Sequence, residues 1–279
     1  MRRINTVVIF SLLLGFSLFA QDAKEEEDVP NPFFAFDNGL DGKDWNAHAA
    51  TLKEIGFDGI QYGGFWVYKE RSAAMKKQGL KIFALYADVD FNAKDPIPKL
   101  YYGSLAQIGK EGTMVWMPVR GNVKDEKAVK LMQAYCDAAK ENNVKIALYP
   151  HAGFSIASAM DALQFIKRVD RPNLGLTINL AHELLAGNGN NLDAILEATK
   201  DHIFLVSING ADNTKNWGRV FQTLDKGNFN QLTFLQKLKS IRYKGPIGLQ
   251  CYNIKGDKKE NLAKSMAAWQ KLQQQLDGP

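Results

Sequence analysis

Short apolar runs alternate with longer amphipathic stretches along most of the chain. The short runs are rich in β-branched and aromatic residues, which is typical of buried strands, whereas the longer stretches repeat apolar residues at helical spacing. In Trp45–Ile55, for example, Ala49, Leu52 and Ile55 fall on one helical face. The pattern predicts eight strands, each followed by a helix.

The predicted elements define the fold class. The strands are Phe33–Phe36, Gly59–Tyr62, Lys81–Tyr86, Met114–Val119, Lys145–Tyr149, Leu174–Asn179, Ile203–Ile208 and Pro246–Gln250. The helices are Trp45–Ile55, Tyr68–Gln78, Leu100–Ile108, a helix capped by Asp125 that ends at Asn142, Ser155–Val169, Asn191–Thr199, Gln231–Ile241 and Lys259–Leu276. This order predicts an α/β fold, a single-domain (β/α)₈ TIM barrel. The alternative, an open doubly wound sheet, needs a Gly-rich phosphate turn after the first strand, and Phe36-Asp37-Asn38-Gly39 is not one.

The amino-terminal segment has a different composition. Arg2 and Arg3 precede an apolar run, Val7–Phe19, that is too short to span a bilayer. Residues 1–20 are therefore predicted to be a cleaved signal peptide, with a membrane anchor as the alternative. Residues 21–32 are acidic and predicted to be a disordered leader, and residues 33–279 form the barrel. The mature protein is expected to be exported to the periplasm or the extracellular space, with no membrane contact after cleavage.

Charge and cysteine content narrow the set of partners. The formal net charge is +5, but no basic block with interleaved aromatic residues is present, so a nucleic acid partner is not expected. Cys136 and Cys251 are the two cysteines. Export would permit a disulfide, but two cysteines do not make a framework, and buried free thiols are expected. The oligomeric state is left open.

Polar residues follow the apolar runs at the predicted strand ends. The sixth strand lies in the sequence L-G-L-T-I-N-L-A-H-E-L, where Asn179, His182 and Glu183 follow the apolar residues. Ligands of parallel α/β folds bind at the carboxyl ends of the strands. The other strand ends supply Gln61, Tyr62, Arg120, Tyr149, His151, Ser207, Asn209, Asp212, Gln250, Cys251 and Tyr252. Amides and hydroxyls of this kind suit a hydroxyl-rich ligand, although ordinary strand-end caps are the alternative.

Several stretches carry a family resemblance. They are Ile55–Gly64 (I-G-F-D-G-I-Q-Y-G-G), Val144–His151, Asn173–Leu184, Val206–Asp212, Leu224–Asn230 and Tyr243–Tyr252. In their order and spacing, the chain from Phe33 to Leu276 resembles the sugar phosphate isomerase/epimerase family with the xylose-isomerase-like barrel. A class of metal-dependent abasic-site endonucleases shares that barrel.

The resemblance implies a divalent metal held by Glu, Asp, His and Glu at the ends of four consecutive strands. Carried over to this sequence, those positions hold Tyr149, Asn179, Ser207 and Gln250, and a further acid of the second strand is Gln61. Neutral oxygens hold a divalent ion poorly in competition with water. No metal and no other cofactor are therefore expected.

Proton chemistry is left to other residues. His151, His182 and Glu183 are the predicted catalytic residues, with His151 as general base. The predicted substrate-binding residues are Gln61, Arg120, Tyr149, Asn179, Ser207, Asn209, Asp212 and Gln250. In the alternative interpretation, His151 only packs in its loop and Glu183 is a solvated carboxylate. His48 and His202 are expected to be structural.

These observations predict an exported, isomerase- or epimerase-like barrel that transfers a proton next to the carbonyl of a small-molecule carbohydrate. Export and the lack of a phosphate-binding turn favour an unphosphorylated sugar. A lyase acting on a keto-sugar would use the same groups, and a non-catalytic sugar-binding barrel is the second alternative. A glycoside hydrolase is disfavoured because the strand ends supply no facing pair of carboxylates.

Overall fold

The structure is a computed structural model that describes residues 30–278. The predicted signal peptide and nearly all of the predicted leader lie outside the described residues. Within the described part, no helix is both long enough and apolar enough to cross a bilayer.

Eight parallel strands close into a barrel, which confirms the predicted fold. The strands are β1 (Phe33–Phe36), β2 (Gly59–Gly63), β3 (Lys81–Tyr86), β4 (Met114–Met117), β5 (Ile146–Leu148), β6 (Leu174–Asn179), β7 (Ile203–Ile208) and β8 (Ile247–Leu249). Each pairs with its neighbours in sequence, and β8 pairs with β1. Strands β1 and β5 therefore lie on opposite sides of the barrel, four positions apart in either direction.

Helices surround the barrel. They are α1 (Trp45–Ile55), α2 (Tyr68–Lys77), α3 (Lys99–Gly109), α4 (Glu126–Glu141), α5 (Ala159–Val169), α6 (Leu180–Ala186), α7 (Leu192–Thr199), α8 (Gln231–Ser240) and α9 (Lys258–Asp277). The sequence pattern did not predict α6. It begins directly after β6, in a run of good helix formers, L-A-H-E-L-L-A.

The fourth strand is shorter than predicted. It ends at Met117 because Pro118 has no amide hydrogen to continue the ladder. The residues that follow, Val119–Arg120, pair in parallel with Val89–Asp90 in a separate two-stranded sheet. Arg120 therefore belongs to this outer sheet rather than to the barrel.

Large aromatic side chains fill the barrel interior. Phe34, Phe36, Trp116 and Tyr149 belong to one buried cluster, and the Trp116 ring lies 4.7 Å from Phe36 and 4.5 Å from Tyr149. Gly248 on β8 makes room for them, since a Cβ there would lie 2.6 Å from the Phe34 ring. The upper end of this stack is Tyr149, which forms part of the floor of the site described next.

Candidate active site

A pocket of about 350 Å³ opens at the carboxyl ends of the barrel strands. Its lining residues are Phe36, Asp37, Asn38, Gln61, Gly63, Tyr86, Tyr149, His151, His182, Trp217, Phe221, Gln250 and Tyr252. Larger concavities lie at the amino end of the barrel and beside α8 and α9. The pocket at the strand ends is the candidate site because the polar strand-end residues converge there.

The pocket floor is a hydrogen-bonded set of neutral groups. The Gln250 amide donates to the Tyr149 hydroxyl at 3.2 Å and accepts from the Asn38 amide at 2.9 Å. The backbone amide of Tyr252 also donates to the Gln250 side-chain oxygen at 3.0 Å. Burial raises the pKa of Tyr149 above its usual range, so the phenol stays protonated. The floor can therefore donate and accept hydrogen bonds without carrying charge.

Two histidines share one wall of the pocket. His151 follows β5, His182 lies in the first turn of α6, and their ring centroids are 4.1 Å apart. The backbone of Ala152 lies between them: its amide is 3.1 Å from Nδ1 of His182, and its carbonyl oxygen is 2.8 Å from Nδ1 of His151. Both rings are thus oriented by the same residue.

These two contacts assign opposite tautomers to the pair. A carbonyl oxygen only accepts hydrogen bonds, so Nδ1 of His151 carries a proton and its Nε2 is a free base. A backbone amide only donates, so Nδ1 of His182 is unprotonated and its Nε2 carries the proton. One wall of the pocket therefore presents a proton acceptor next to a neutral donor.

Burial keeps both rings neutral. It lowers the pKa of His151, and it lowers the pKa of His182 to about 3, with a further contribution from the neighbouring His151. At neutral pH, His151 is available as a base, whereas His182 is too weakly basic to take a proton.

The low pKa of His182 makes stability depend on pH. Below about pH 6.5 the unfolded chain protonates His182, but the folded chain does so only near pH 3, so folded-state stability is lost as the pH falls through this window. Between pH 7.5 and pH 5.0 His182 should contribute about 2 kcal/mol to this loss. Urea denaturation at the two pH values measures the loss of unfolding free energy. This loss should be smaller by about 2 kcal/mol in His182→Asn than in wild type.

The other groups with shifted pKa values are present in both proteins, and the pKa of His151 is lowered like that of His182. Burial raises the pKa of Asp37 and of Glu183, so these carboxyls make the folded state more stable as the pH falls, the opposite of His182. Both are present in wild type and variant alike. An identical pH dependence in the two proteins would contradict the burial of a neutral His182.

Asp37 is a pocket residue that the sequence analysis missed. It begins a short 3₁₀ turn directly after β1, and its carboxylate accepts the Gly63 amide at 2.8 Å. Within residues 30–278, the lining of the pocket has one carboxyl group, that of Asp37, and no lysine or arginine. Because β1 lies opposite β5, Asp37 lies on the wall that faces His151.

Arg71 supports the wall that carries Asp37. Its guanidinium donates to the carbonyl of Gly63 at 2.8 Å and lies 4.5 Å from the centroid of the Tyr62 ring. The positive charge lowers the pKa of Asp37, but burial has the larger effect and leaves this pKa raised. Asp37 can therefore hold a proton more readily than an exposed aspartate.

Two of the predicted substrate-binding residues lie inside the barrel. Asn179 and Ser207 are register partners on β6 and β7, both are buried, and neither lines the pocket. Gln61, Tyr149 and Gln250 do line it.

Four further predicted residues lie outside the pocket lining, and the charge of Arg120 still contributes to the lowered pKa of His151. Arg120 pairs with Asp88, and its guanidinium lies 3.8 Å from the Phe154 ring centroid. Glu183 is buried and accepts hydrogen bonds of 2.6 Å from the Ala159 amide and from Asn188. Asn209 and Asp212 bond within the loop after β7.

The positions that hold metal in the resembling family do not fit a divalent ion here. Tyr149, Asn179, Ser207 and Gln250 offer neutral oxygens and amide nitrogens, which compensate poorly for removing water from the ion. Within the described residues, no group of three or more His, Cys, Asp or Glu side chains is arranged to hold a metal. The pocket chemistry is therefore derived from the protein groups alone.

Comparison with solved structures shows the same architecture. The 3-keto-D-glucoside 4-epimerase of E. coli matches with a TM-score of 0.73 at 16% identity, over 87% of this chain and 99% of that protein. The IolI protein, solved with a zinc atom, matches with a TM-score of 0.72 at 16% identity, over 89% of this chain and 100% of that protein. The D-allulose 3-epimerase of Methylomonas sp. matches with a TM-score of 0.70 at 17% identity, over 87% of this chain and 98% of that protein.

Sequence comparisons agree with the structural ones. An uncharacterised protein of Methanocaldococcus jannaschii is 29% identical over 93 residues, which span 33% of this chain and 31% of that protein. The chain thus matches about a third of the length of this relative. The family model of the xylose isomerase-like TIM barrel matches residues 103–272. The chain belongs to the xylose isomerase-like TIM barrel family.

Proposed function

We propose that this protein is a sugar epimerase that moves a proton at the carbon next to a carbonyl group without using a metal. The observation that carries the proposal is the pair of opposite histidine tautomers, which presents a free base beside a neutral donor in one pocket. A general base must be unprotonated at the working pH and must lie within reach of the proton that it removes. His151 meets the first condition because burial lowers its pKa.

The proposed step can be written with the groups that are present. Nε2 of His151 takes the proton, and the electrons of the C–H bond move to form an enediol-type intermediate. Nε2–H of His182 donates a hydrogen bond to the carbonyl oxygen, where negative charge develops. No net oxidation or reduction occurs.

Asp37 gives the step its stereochemistry. It lies on the wall opposite His151, and its raised pKa allows it to hold the proton that returns to the other face of the carbon. Return from the opposite face inverts the carbon. His151 then loses its proton to solvent and Asp37 regains one, which restores the starting state.

The substrate is proposed to be an unphosphorylated keto-sugar. The neutral amides and hydroxyls of the floor suit sugar hydroxyls, and the lining formed by described residues has no cationic side chain that would bind a phosphate. The names of two structural neighbours, a 3-keto-D-glucoside 4-epimerase and a D-allulose 3-epimerase, support the same class of substrate.

Incubation with a panel of unphosphorylated keto-sugars tests the proposal. Chromatography of the products should show one sugar converted to its epimer. Tight binding without conversion would favour the sugar-binding barrel, and release of an unsaturated product would favour a lyase.

We also propose that the protein is exported, on the basis of residues 1–20. Intact-mass measurement of exported material should show a chain that begins at or near Gln21. A mass that corresponds to a start at Met1 would contradict export by a cleaved signal.

A further inference from the structure

Three aromatic rings extend the pocket toward solvent on the side of β7 and β8. Trp217, Phe221 and Tyr252, here called the outer aromatic cluster, all line the pocket. Their ring centroids are 5.1 Å apart for Trp217 and Phe221, 5.5 Å for Phe221 and Tyr252, and 6.0 Å for Trp217 and Tyr252. Trp217 is 40% exposed and Tyr252 is 46% exposed. The cluster therefore forms an apolar surface that begins in the pocket and continues outside it.

The loop that carries Trp217 is held in place by hydrogen bonds. The Asp212 carboxylate accepts from the Arg219 side chain at 2.7 Å, and the backbone amide of Gln222 donates to the carbonyl of Gly210 at 2.8 Å. The Asn209 side chain donates to the carbonyl of Val220. The exposure of Trp217 is thus maintained by a braced loop, which is the arrangement expected of a preformed binding surface.

The cluster is continuous with the reacting groups. The Trp217 ring centroid lies 5.9 Å from the His182 ring and 6.4 Å from the His151 ring. The pocket itself, at about 350 Å³, is near the small end of the range of about 300–1,000 Å³ for small-molecule sites. A ligand larger than one sugar ring would therefore extend beyond the two histidines and over the exposed faces of Trp217 and Tyr252.

We propose that the outer aromatic cluster binds the second sugar ring of a glycoside whose reacting keto-sugar lies in the pocket. This inference rests on the proposed function and names its substrate class. A pyranose ring presents apolar C–H faces with hydroxyls at its edge, and aromatic side chains with one polar end match that surface. Since the pocket lining of the described residues has no lysine or arginine, an uncharged sugar fits better than a phosphate-bearing group.

Calorimetry with matched sugars tests the outer site. D-Fructose is compared with lactulose, maltulose, turanose and isomaltulose, which carry the same ketohexose linked to a second hexose in different ways. At least one disaccharide should bind about tenfold more tightly than fructose, because the second ring covers apolar surface of Trp217 and Tyr252. In Trp217→Ala and in Tyr252→Ala this ratio should fall toward one.

Trp66→Ala is the matched control. Trp66 is 60% exposed and follows β2 at the same end of the barrel, but it does not line the pocket. The control should keep the wild-type ratio of disaccharide to fructose affinity. An equal fall of this affinity ratio in all three variants would contradict a specific outer site.

The remaining outcomes separate the outer site from the proposed function. If fructose exchanges its proton but no disaccharide binds more tightly, the outer site is wrong and the proposed function stands. Tighter binding that depends on Trp217, without proton exchange in any sugar, supports the outer site and contradicts the proposed function. Failure of every sugar to bind contradicts both. In one further outcome, Trp217→Ala changes the oligomeric state but leaves the ratio of disaccharide to fructose affinity unchanged. The rings would then belong to a protein contact, and the inference would be overturned.

Discussion

Replacement of His151 by Gln should lower turnover by about 10²–10⁴-fold and leave sugar binding largely unchanged. Glutamine keeps a polar side chain in the pocket but cannot take a proton at neutral pH. The loss should therefore appear in kcat, measured on a sugar that the wild-type protein converts, whereas calorimetry should give a Kd close to that of wild type.

His202→Gln is the matched control for this variant. His202 belongs to the short 3₁₀ turn Lys200–His202 at the amino end of β7, and it does not line the pocket. The control should keep wild-type turnover. Full activity in His151→Gln would show that another group is the base and would remove the functional meaning of the tautomer pair.

Replacement of Asp37 by Asn should abolish inversion and spare proton removal. Asparagine can still accept the Gly63 amide, so the local structure is kept, but it cannot return a proton to the substrate. Formation of the epimer should fall by about 10²–10⁴-fold. In deuterated water, the substrate itself should still gain deuterium, because His151 continues to remove the proton and give one back on its own side.

Asp90→Asn serves as the control, since Asp90 lies in the short sheet outside the barrel and does not line the pocket. It should behave as wild type in both measurements. If Asp37→Asn lost deuterium uptake and epimer formation to the same extent, Asp37 would act on the whole site rather than on one face of the carbon.

Much of the fold was predictable from the sequence because strand length and helical spacing repeat regularly. The same regularity located six pocket residues, since the rule that ligands bind at strand ends points to Gln61, Tyr149, His151, His182, Gln250 and Tyr252. Asp37 follows the first strand in the same way. The sequence alone does not single it out, because Asp-Asn-Gly is also typical of an ordinary turn.

Helical phase explains why His182 and Glu183 separate. The sequence analysis took both as groups at the end of a strand, but they are adjacent residues of α6. Adjacent helical side chains point about 100° apart, so His182 lines the pocket while Glu183 turns toward the amino end of α5 and accepts the Ala159 amide. The pattern of α6 is too short to show this phase clearly.

Two members of the outer aromatic cluster could not be predicted because their positions depend on loop conformation. Trp217 and Phe221 lie in the segment between β7 and α8, where periodicity carries no information. Hydrogen bonds within that segment bring the two rings to the pocket. Nor could the sequence assign the histidine tautomers, which follow from contacts with the Ala152 backbone.

In the proposed mechanism, neutral groups of the protein stabilise the charge that a metal stabilises in related chemistry. In the proposed step, His182 Nε2–H stabilises the developing charge on the carbonyl oxygen, and the Tyr149 hydroxyl lies in the floor of the same pocket. Preorganised donors in a site that excludes water can stabilise such charge strongly. The proposal therefore requires that catalysis persist when divalent ions are removed.

The most direct test of this claim is deuterium uptake in deuterated water by metal-free protein. The protein is dialysed against EDTA, its manganese and zinc contents are measured, and the keto-sugar panel is followed by proton NMR. We expect loss of the proton next to the carbonyl in one sugar and its epimer, at the same rate with and without EDTA. Uptake that stops in EDTA and returns on addition of manganese or zinc would contradict it.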